Sequence, residues 1–329
     1  MNHPRTIERV GVIGAGAIGT VLAALLGRVV PTVVVCRNPV RAGQLFAHGA
    51  VCRGGLEAAS RPIIVRTVAD LCAVGGVAAV FVTTKTTAIA DIAADLAPMC
   101  SGANGPVIVS CQNGIDPGRQ LAERLPGGRV ARMVLNLGAT CDAGSGETKV
   151  TLNAPPHAIG SPDARLGDPC ERLAAILSGA GLETCAAPDI EARVWAKSLM
   201  NAAVNPVAAL CNMTVGEVMA SPARPIVDRL LHEGFEVACA EGIDLGTGYL
   251  ERAAATLSRA ADHTPSMVED VRSGRESEIG QLNRPIMDRG AARGVPTPTH
   301  EVVDSLIEAL DWAVSGRGSG GFAVRSRPR

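Results

Sequence analysis

Hydrophobic positions in the first half of the chain come in short uninterrupted runs, separated by longer stretches of helical character. The runs that predict strands lie at residues 9–13, 32–37, 78–84, 106–111 and 132–137. Helical stretches between them include residues 17–29, 87–97 and 117–125. Because wholly apolar runs suit strands buried on both faces, and because strands alternate with helices, the pattern predicts an α/β domain with a parallel sheet.

The second half of the chain has a different pattern, in which strand signals disappear and apolar residues recur at helical spacing. Predicted helices lie at residues 190–203, 226–240, 269–288 and 300–313. We therefore expect a Rossmann-like domain over residues 1–187 and an all-helical domain over residues 188–314. Residues 315–329, which are rich in Gly, Ser and Arg, are expected to form a disordered tail.

One segment near the N-terminus, residues 10–27, has no charged residue over the length of a short membrane span. It also contains a G-x-G-x-x-G motif that follows an apolar strand and opens a helix. In such motifs the first glycine permits a tight turn, the second admits a pyrophosphate, and the third lets the helix pack closely on the strand. We interpret the segment as a dinucleotide site and not as a membrane segment. Its predicted cofactor contacts are Gly14, Ala15, Gly16, Ala17, Ile18 and Gly19.

The residues after the second predicted strand indicate which nucleotide binds. A site for NAD usually has an acidic residue there, which holds the ribose hydroxyls. No Asp or Glu occurs between Glu8 and Glu57, and Arg37, followed by Arg41, stands at this place instead. A cation suits a 2'-phosphate, so the sequence predicts NADP(H). The alternative, that Arg37 is a solvated surface residue, stays open.

Two later loops also follow predicted strands, and the carboxyl ends of parallel strands are where ligands of open α/β sheets bind. Lys85, in the loop 83–86, is expected to reach a phosphate or ribose. Asn113, in the loop 110–114, is expected to serve cofactor and substrate together. By itself, Asn113 is equally consistent with an ordinary Asn-Gly turn.

The first predicted helix of the second half carries polar residues at regular intervals. Lys197, Asn201 and Asn205 lie four residues apart and so share one helix face. Burying them unpaired is costly, and apolar surroundings lower the pKa of a lysine, which helps it donate a proton near neutral pH. From spacing alone, a structural polar seam is as good an interpretation as a site.

Composition excludes several classes of function. The 329 residues include 31 Lys+Arg and 32 Asp+Glu, so the chain lacks the basic field that nucleic acid or an anionic membrane requires. Aromatic residues, at 2%, are too few for base-stacking surfaces. Ten cysteines without a C-x-x-C pair argue against a zinc ribbon or a small disulfide scaffold, and favour reduced thiols in the cytoplasm. No metal site is expected.

In their order along the chain, these motifs resemble those of the ketopantoate reductase (2-dehydropantoate 2-reductase) family from residue 9 to about 310. The resemblance implies a C-terminal domain like that of 6-phosphogluconate dehydrogenase and NADPH-dependent reduction of 2-dehydropantoate, a small 2-keto acid, to pantoate in pantothenate biosynthesis. A homodimer is left open. Besides the glycine motif, the matching motifs are Thr-Lys at 84–85, Gln-Asn-Gly at 112–114, Lys-x3-Asn-x3-Asn-Pro at 197–206, Ser266-Met267, Glu278-Ile279 and Gly294-Val295-Pro296.

The resemblance also implies a role for each matching residue. Lys197 is the general acid that protonates the carbonyl oxygen, and Glu278 hydrogen-bonds the substrate hydroxyl and helps to position the reacting group. Ser266 holds the substrate carboxylate, while Asn201 and Asn205 orient the lysine and contact the substrate. On the cofactor side the matching residues are Arg37, Lys85 and Asn113.

The chain departs from the family pattern at two places. Val215 stands where the family has the asparagine of an Asn-Gly-Glu step, and Asn212 offers an amide in its stead. Pro285 is expected to kink the helix that carries Glu278. Three alternatives therefore stay open: a paralogous NADPH-dependent reductase of another branched or hydroxylated 2-keto acid, chemistry of the opine or sugar-acid type, and a non-catalytic NADP(H)-sensing protein.

Overall fold

The computed structural model describes residues 7–102, 105–142 and 144–315. The chain divides into two compact units, Met1–Lys197 and Ser198–Arg329. The division falls within a helix, Ile190–Cys211, whereas the predicted domain boundary near residue 187 precedes that helix. Of the predicted tail, all but Ser315 lies outside the described residues. The prediction of an α/β domain followed by a helical one is confirmed.

The first unit is built on a sheet whose described strands are mostly parallel. All described strands, in chain order, are β1 (Val10–Ile13), β2 (Thr32–Val35), β3 (Ala50–Gly54), β4 (Ala58–Ser60), β5 (Ile63–Val65), β6 (Ala79–Val82), β7 (Val107–Ser110), β8 (Val130–Val134), β9 (Leu137–Cys141), β10 (Thr148–Asn153), β11 (His157–Gly160) and β12 (Thr184–Ala186). The main sheet has the order β5-β2-β1-β6-β7-β8-β11-β12, in which the first six strands run parallel and β11 pairs antiparallel with β8. These six parallel strands have the order of a dinucleotide-binding fold.

Helices cover both faces of this sheet. Up to and including the helix in which the chain divides, the helices are α1 (Ala17–Leu26), α2 (Pro39–His48), α3 (Val68–Val74), α4 (Ile89–Cys100), α5 (Pro117–Arg124), α6 (Gly167–Gly179) and α7 (Ile190–Cys211), with 3-10 turns at Thr86–Ala88 and Ala164–Leu166. Val10 and Val12 of β1 pack in one core cluster with α1 and α6, while Val80 and Val82 of β6 pack in another with α3, α4 and α5. Burial on both faces is the reason that these strands are apolar throughout.

Helix α1 lies against a second, smaller sheet that the sequence did not predict. This sheet has the order β4-β3-β10-β9, and all four strands contact α1. Eight of the ten residues of α1 are buried, because β1 and β2 of the main sheet contact the helix as well. The charge-free run at residues 10–27 is thus a strand, a turn and a buried helix. Among the described residues, no helix has the length and hydrophobicity that crossing a membrane needs.

The prediction of one strand over residues 132–137 is confirmed for 132–134 and wrong beyond them, because the chain changes sheets within this range. Strand β8 ends at Val134 in the main sheet, and β9 begins at Leu137 in the small sheet. At the break, the Asn136 amide N–H donates to Nδ1 of the buried His157 ring at 3.0 Å. The histidine therefore satisfies a backbone group that has left the sheet ladder.

The second unit is helical in its described part, but one predicted helix is wrong. Residues 269–288 form parts of three helices, since Gly274 adopts a left-handed φ of 66° after the first of them. Pro285 lies in the first turn of the third, where its missing N–H costs nothing, so it kinks no helix that carries Glu278. The helices are α8 (Val215–Ala220), α9 (Arg224–Ala240), α10 (Tyr249–Arg259), α11 (Ser266–Arg272), α12 (Ile279–Leu282), α13 (Arg284–Arg293) and α14 (Pro298–Ser315).

A buried asparagine completes the hydrogen bonding of α7. Pro206 lies inside this helix and has no N–H to donate to the carbonyl of Ala202, four residues earlier. Nδ2 of Asn283 donates to that carbonyl oxygen at 3.1 Å and lies 3.0 Å from Nδ1 of His300. Nε2 of His300 is in turn 3.0 Å from the Leu230 carbonyl, so the network ties α7 to α9 and α14.

Two phenylalanines of the first unit give a matched test of how its main sheet packs between helices. Phe81 in β6 is 0% exposed and Phe46 in α2 is 81% exposed. We expect Phe81→Ala to lower the free energy of unfolding by about 3–5 kcal/mol. The control Phe46→Ala should change it by less than about 0.5 kcal/mol. Denaturant-induced unfolding followed by circular dichroism measures both, and equal losses would contradict the packing described.

Candidate active site

The turn between β1 and α1 needs glycine at two positions and leaves open space at a third. Gly14 adopts φ 103°, a conformation that other residues rarely take. A Cβ at Gly19 would lie 1.8 Å from the Gly14 carbonyl oxygen, so only glycine lets the helix approach the turn. A Cβ at Gly16 would meet nothing within 4 Å. The backbone at Gly16 therefore borders free space at the N-terminus of α1.

A cavity of about 490 Å³ opens beside this turn, at the carboxyl ends of β1 and β2. It is bounded by residues 14–16, by residues 35–38 with Arg37, and by Asp91 and Asp95 of α4. Thr84 also lines it, and among the described residues its buried hydroxyl has no hydrogen-bond partner. A glycine turn, a cation and an unsatisfied hydroxyl around one cavity fit the phosphate groups of a dinucleotide.

The two arginines after β2 have different surroundings. Arg41 has hydrogen-bond partners within the protein: its guanidinium donates to the Ala15 carbonyl at 3.0 Å and to the Thr20 hydroxyl at 2.7 Å. The side chain of Arg37 is exposed at the cavity, and its backbone carbonyl accepts a hydrogen bond from Arg66. Arg41 thus stabilises the glycine turn, whereas Arg37 is available to a ligand.

The loop after β6 approaches the same turn. The Thr83 hydroxyl donates to the carbonyls of Ile13 at 3.0 Å and Gly14 at 2.8 Å, which fixes the turn on the neighbouring strand. Lys85 follows at the start of the 3-10 turn, and its side chain is exposed. The structure therefore places Lys85 on the surface, one residue beyond the cavity-lining Thr84.

Lys197 of α7 meets two loops of the first unit. Its Nζ donates to the Leu135 carbonyl oxygen at 2.5 Å and to Oδ1 of Asn113 at 3.2 Å. Asn113 lies in the loop after β7, and Leu135 lies in the break between β8 and β9. Because Leu135 follows the last residue of β8, its carbonyl can turn towards the ammonium. The structure thus brings together two residues, Lys197 and Asn113, that the sequence singled out separately.

Burial lowers the pKa of the Lys197 ammonium to about 8, and the positive charge of Arg132 adds to the effect. Burial also raises the pKa of the Cys111 thiol to about 12 and lowers the pKa of His157 to about 4. At neutral pH both of these neighbours are therefore uncharged, while the lysine is charged and close to its titration range. Such a group suits proton donation at physiological pH.

The other candidate residues lie in the second unit. Asn205 of α7 is buried at 7% exposure, and Asn201, one turn earlier, is half-buried. Ser266 is the exposed first residue of α11. Glu278 is half-buried and directly precedes α12.

The resemblance predicts an asparagine at position 215, and the valine that stands there has a buried side chain. It is the first residue of α8 and is 2% exposed, and its N–H donates to the His263 carbonyl at 2.9 Å. Thr214 and Glu217 form a capping box around it. The Asn212 side-chain oxygen accepts a hydrogen bond from Nε of Arg272 at 2.7 Å. The side-chain oxygen of Asn212, which was expected to replace that asparagine, thus already accepts a hydrogen bond from within the second unit.

Sequence reasoning missed three groups around Lys197: the Arg132 guanidinium, the Leu135 carbonyl and the His157 ring. An arginine within the apolar run 130–135 was a signal of a buried charge, but the predicted strand began at Arg132 and so placed it at an end. The Leu135 carbonyl carries no sequence signal, because any residue has one. His157 follows a Pro-Pro pair, which is typical of a loop.

Comparisons with known proteins agree on one family. A family model described as ketopantoate reductase PanE/ApbA matches residues 10–158, and one described as its C-terminal part matches residues 189–311. The chain is similar to the curated 2-dehydropantoate 2-reductase of Archaeoglobus fulgidus, with 29% identity over 316 residues that cover 93% of this chain and 98% of the relative.

Solved structures have the same fold. The crystal structure of 2-dehydropantoate 2-reductase from Methylococcus capsulatus is 25% identical, with a TM-score of 0.80 over 93% of this chain and 98% of that one. A ternary structure of D-mandelate dehydrogenase with NADH and anilino(oxo)acetate is 20% identical, with a TM-score of 0.82 over 93% of this chain and 99% of the other. This last likeness concerns the fold alone.

The low pKa of Lys197 can be measured directly, because the chain has three lysines, Lys85, Lys149 and Lys197. Incorporation of lysine labelled with 13C at Cε gives three NMR signals, which K85R and K149R assign by elimination. We expect the Lys197 signal to titrate with a midpoint at pH about 8. In denaturant the same residue should titrate near 10.4. A midpoint above pH 10 in the folded protein would contradict the conclusion that the surroundings of Lys197 lower its pKa.

Proposed function

Because the chain belongs to the ketopantoate reductase family, we propose that it catalyses the NADPH-dependent reduction of 2-dehydropantoate to pantoate, a step of pantothenate biosynthesis. The observation that carries the proposal is the partly buried Lys197 ammonium, with its pKa lowered to about 8, held by Asn113 beside the carboxyl end of β7. The name of the Archaeoglobus relative supports the choice of substrate.

The proposed reaction needs a proton as well as a hydride. When bound, NADPH supplies the hydride that adds to the keto carbon. Negative charge develops on the keto oxygen, and Lys197 stabilises this charge and donates its proton there. The Leu135 carbonyl and the Asn113 side chain accept hydrogen bonds from Nζ and leave its third N–H for the substrate oxygen.

Residues of the second unit are assigned to bind the polar groups of the substrate. We propose that Ser266 binds the carboxylate, since a hydroxyl in the first turn of a helix adds to a favourable dipole. Glu278 accepts a hydrogen bond from the substrate hydroxyl and helps to position the reacting group. Asn201 and Asn205 contact the substrate and orient the lysine, and they lie one and two turns after it along α7.

We propose NADP(H) as the cofactor on the strength of this chain's own residues. The turn 14–19 provides backbone amides at the N-terminus of α1 for the pyrophosphate. Arg37 binds the 2'-phosphate at the cavity edge, where an NAD site would have a carboxylate. Lys85 and Asn113 are the remaining residues that we propose to contact the cofactor.

A cytoplasmic location is supported by the ten cysteines, none of which forms a disulfide.

The buried Val215 favours a second candidate substrate class. A valine in place of an asparagine removes an amide that could bind a substrate hydroxyl, and Asn212 is engaged by Arg272. The same reaction on another branched or hydroxylated 2-keto acid is therefore the alternative. Substrate hydroxyls contribute strongly to discrimination only where a site hydrogen-bonds them.

We expect wild-type protein to oxidise NADPH, followed at 340 nm, with 2-dehydropantoate. The panel also contains 2-ketoisovalerate, pyruvate and oxaloacetate. Faster turnover of another acid would favour the alternative substrate class. Binding of NADPH without turnover of any acid would contradict the proposed function and favour a sensing protein.

The proton-donating role of Lys197 predicts a large loss of turnover in K197A. We expect kcat to fall about 10²–10⁴-fold, because positioned acid catalysis is lost. NADPH should still bind, as judged by its fluorescence, and K149A, which removes an exposed lysine of β10, should keep wild-type activity. Wild-type kcat should fall as pH rises through the pKa of about 8, since the proton is then lost. Unchanged turnover in K197A would exclude this role.

Arg37 should decide the choice between the two nicotinamide cofactors. We expect Arg37→Ser to raise KM for NADPH at least tenfold, because a charge-assisted hydrogen bond contributes about 1.5–3 kcal/mol. KM for NADH should change less than twofold, since NADH has no 2'-phosphate. The control is Arg61→Ser, an exposed arginine that does not line the cavity. Equal effects on both cofactors would argue against a 2'-phosphate contact.

A further inference from the structure

The buried Arg132 lies in the middle of β8 and has no role in the proposed reaction so far. The residue is 5% exposed. Its Nη1 donates to the Ser110 hydroxyl at 3.0 Å, and its Nη2 donates to the Gly114 carbonyl oxygen at 2.7 Å. Both acceptors are uncharged, so Arg132 is a buried cation bound to neutral atoms.

The two acceptors of Arg132 are the ends of the loop that contacts Lys197. Ser110 is the last residue of β7, and Gly114 follows Asn113, whose side chain accepts a hydrogen bond from the lysine. The Ser110 hydroxyl also donates to Oε1 of Gln112 at 2.7 Å. One guanidinium therefore fixes the loop from both sides, and a planar fork is well suited to holding two acceptors in a set geometry.

Helix α5 leaves space for this arginine. A Cβ at Gly118, in the first turn of α5, would lie 2.1 Å from Cδ of Arg132. Gly118 is itself buried, so the arginine stem passes where any larger residue would have its side chain. The position of the guanidinium thus depends on a glycine of a neighbouring element.

The charge of Arg132 also acts on Lys197. Burial lowers the pKa of Arg132 to about 10, so it stays protonated at neutral pH, and the charges of Glu191 and Asp116 help to keep it so. After burial, the charge of Arg132 is the largest influence that lowers the pKa of Lys197. The remaining titratable neighbours, Cys111 and His157, are neutral in this pH range.

We propose that Arg132 is a positioning residue for Lys197: it fixes the loop that holds Asn113, and as a second buried cation it readies the lysine to release its proton. This inference rests on the proposed function, in which Lys197 is the proton donor. It assigns the tuning of the donor to a residue that does not touch the substrate.

The sign of the effect follows from the charges. Two like charges in a buried region disfavour each other, so the protonated lysine is less stable while Arg132 is present. Removing the arginine charge should therefore raise the pKa of Lys197 and make the ammonium a weaker acid. The shift expected from one nearby charge is about one pH unit.

The test is the 13C titration of Lys197 in Arg132→Met, which keeps an unbranched apolar stem and removes the charged guanidinium. We expect the midpoint to rise by about one unit above the wild-type value. Arg124→Met, on the exposed side of α5, is the matched control and should leave the midpoint unchanged. The alkaline limb of the kcat profile should move upwards together with the midpoint, which a merely structural role would not cause.

A second variant keeps the test decisive if Arg132→Met does not fold. Arg132→Gln also removes the charge but keeps a side chain that can hydrogen-bond the Ser110 hydroxyl or the Gly114 carbonyl, and should raise the Lys197 midpoint in the same direction. An unchanged midpoint in the folded variants would overturn the proposal. Because the titration uses neither substrate nor cofactor, it separates the two proposals: an inactive wild type would contradict the proposed function, and an unchanged midpoint would contradict the role of Arg132.

Discussion

The burial of positive charge in the first unit is the constraint on which its candidate site depends. A buried ion loses hydration worth several kcal/mol and needs acceptors in return. Lys197 finds them in the Leu135 carbonyl and the Asn113 side chain, and Arg132 finds one in the Ser110 hydroxyl. These acceptors are available because strands end there: β7 stops at Ser110, and the chain leaves the main sheet after β8. The ends of the parallel sheet thus determine where charge can be buried.

Much of the first unit could be predicted because its strands are buried on both faces and read as apolar runs. The small sheet could not, since β4 and β9 contain Ala, Ser, Gly and Thr in place of an apolar run, and the pairing at its centre joins distant parts of the chain. Strand β3 pairs with β10, almost a hundred residues later. Such partners leave no local periodicity. In the second unit, Gly274 divides a region whose apolar spacing alone predicted one helix.

The candidate site was predictable where chemistry depends on residue type and unpredictable where it depends on backbone or packing. Lys197 and Asn113 stood out by type and position, and they lie 3.2 Å apart between Nζ and Oδ1. The Leu135 carbonyl could not be predicted, because it accepts a hydrogen bond from Lys197 only through its place in the break between β8 and β9. Arg132 was expected at the end of a strand, where a charge can reach solvent, and only the space above Gly118 accounts for its burial.

Pro206 makes helix α7 dependent on a residue far along the chain. The proline leaves the Ala202 carbonyl without its helical partner, and the partner that replaces it, Asn283, lies 81 residues away from that carbonyl. Closing a contact across such a separation costs loop entropy, so it forms late compared with the local hydrogen bonds of the helix. During synthesis, a ribosome-bound chain that ends before residue 283 therefore cannot complete the hydrogen bonding of α7, although all 22 residues of that helix have already been made.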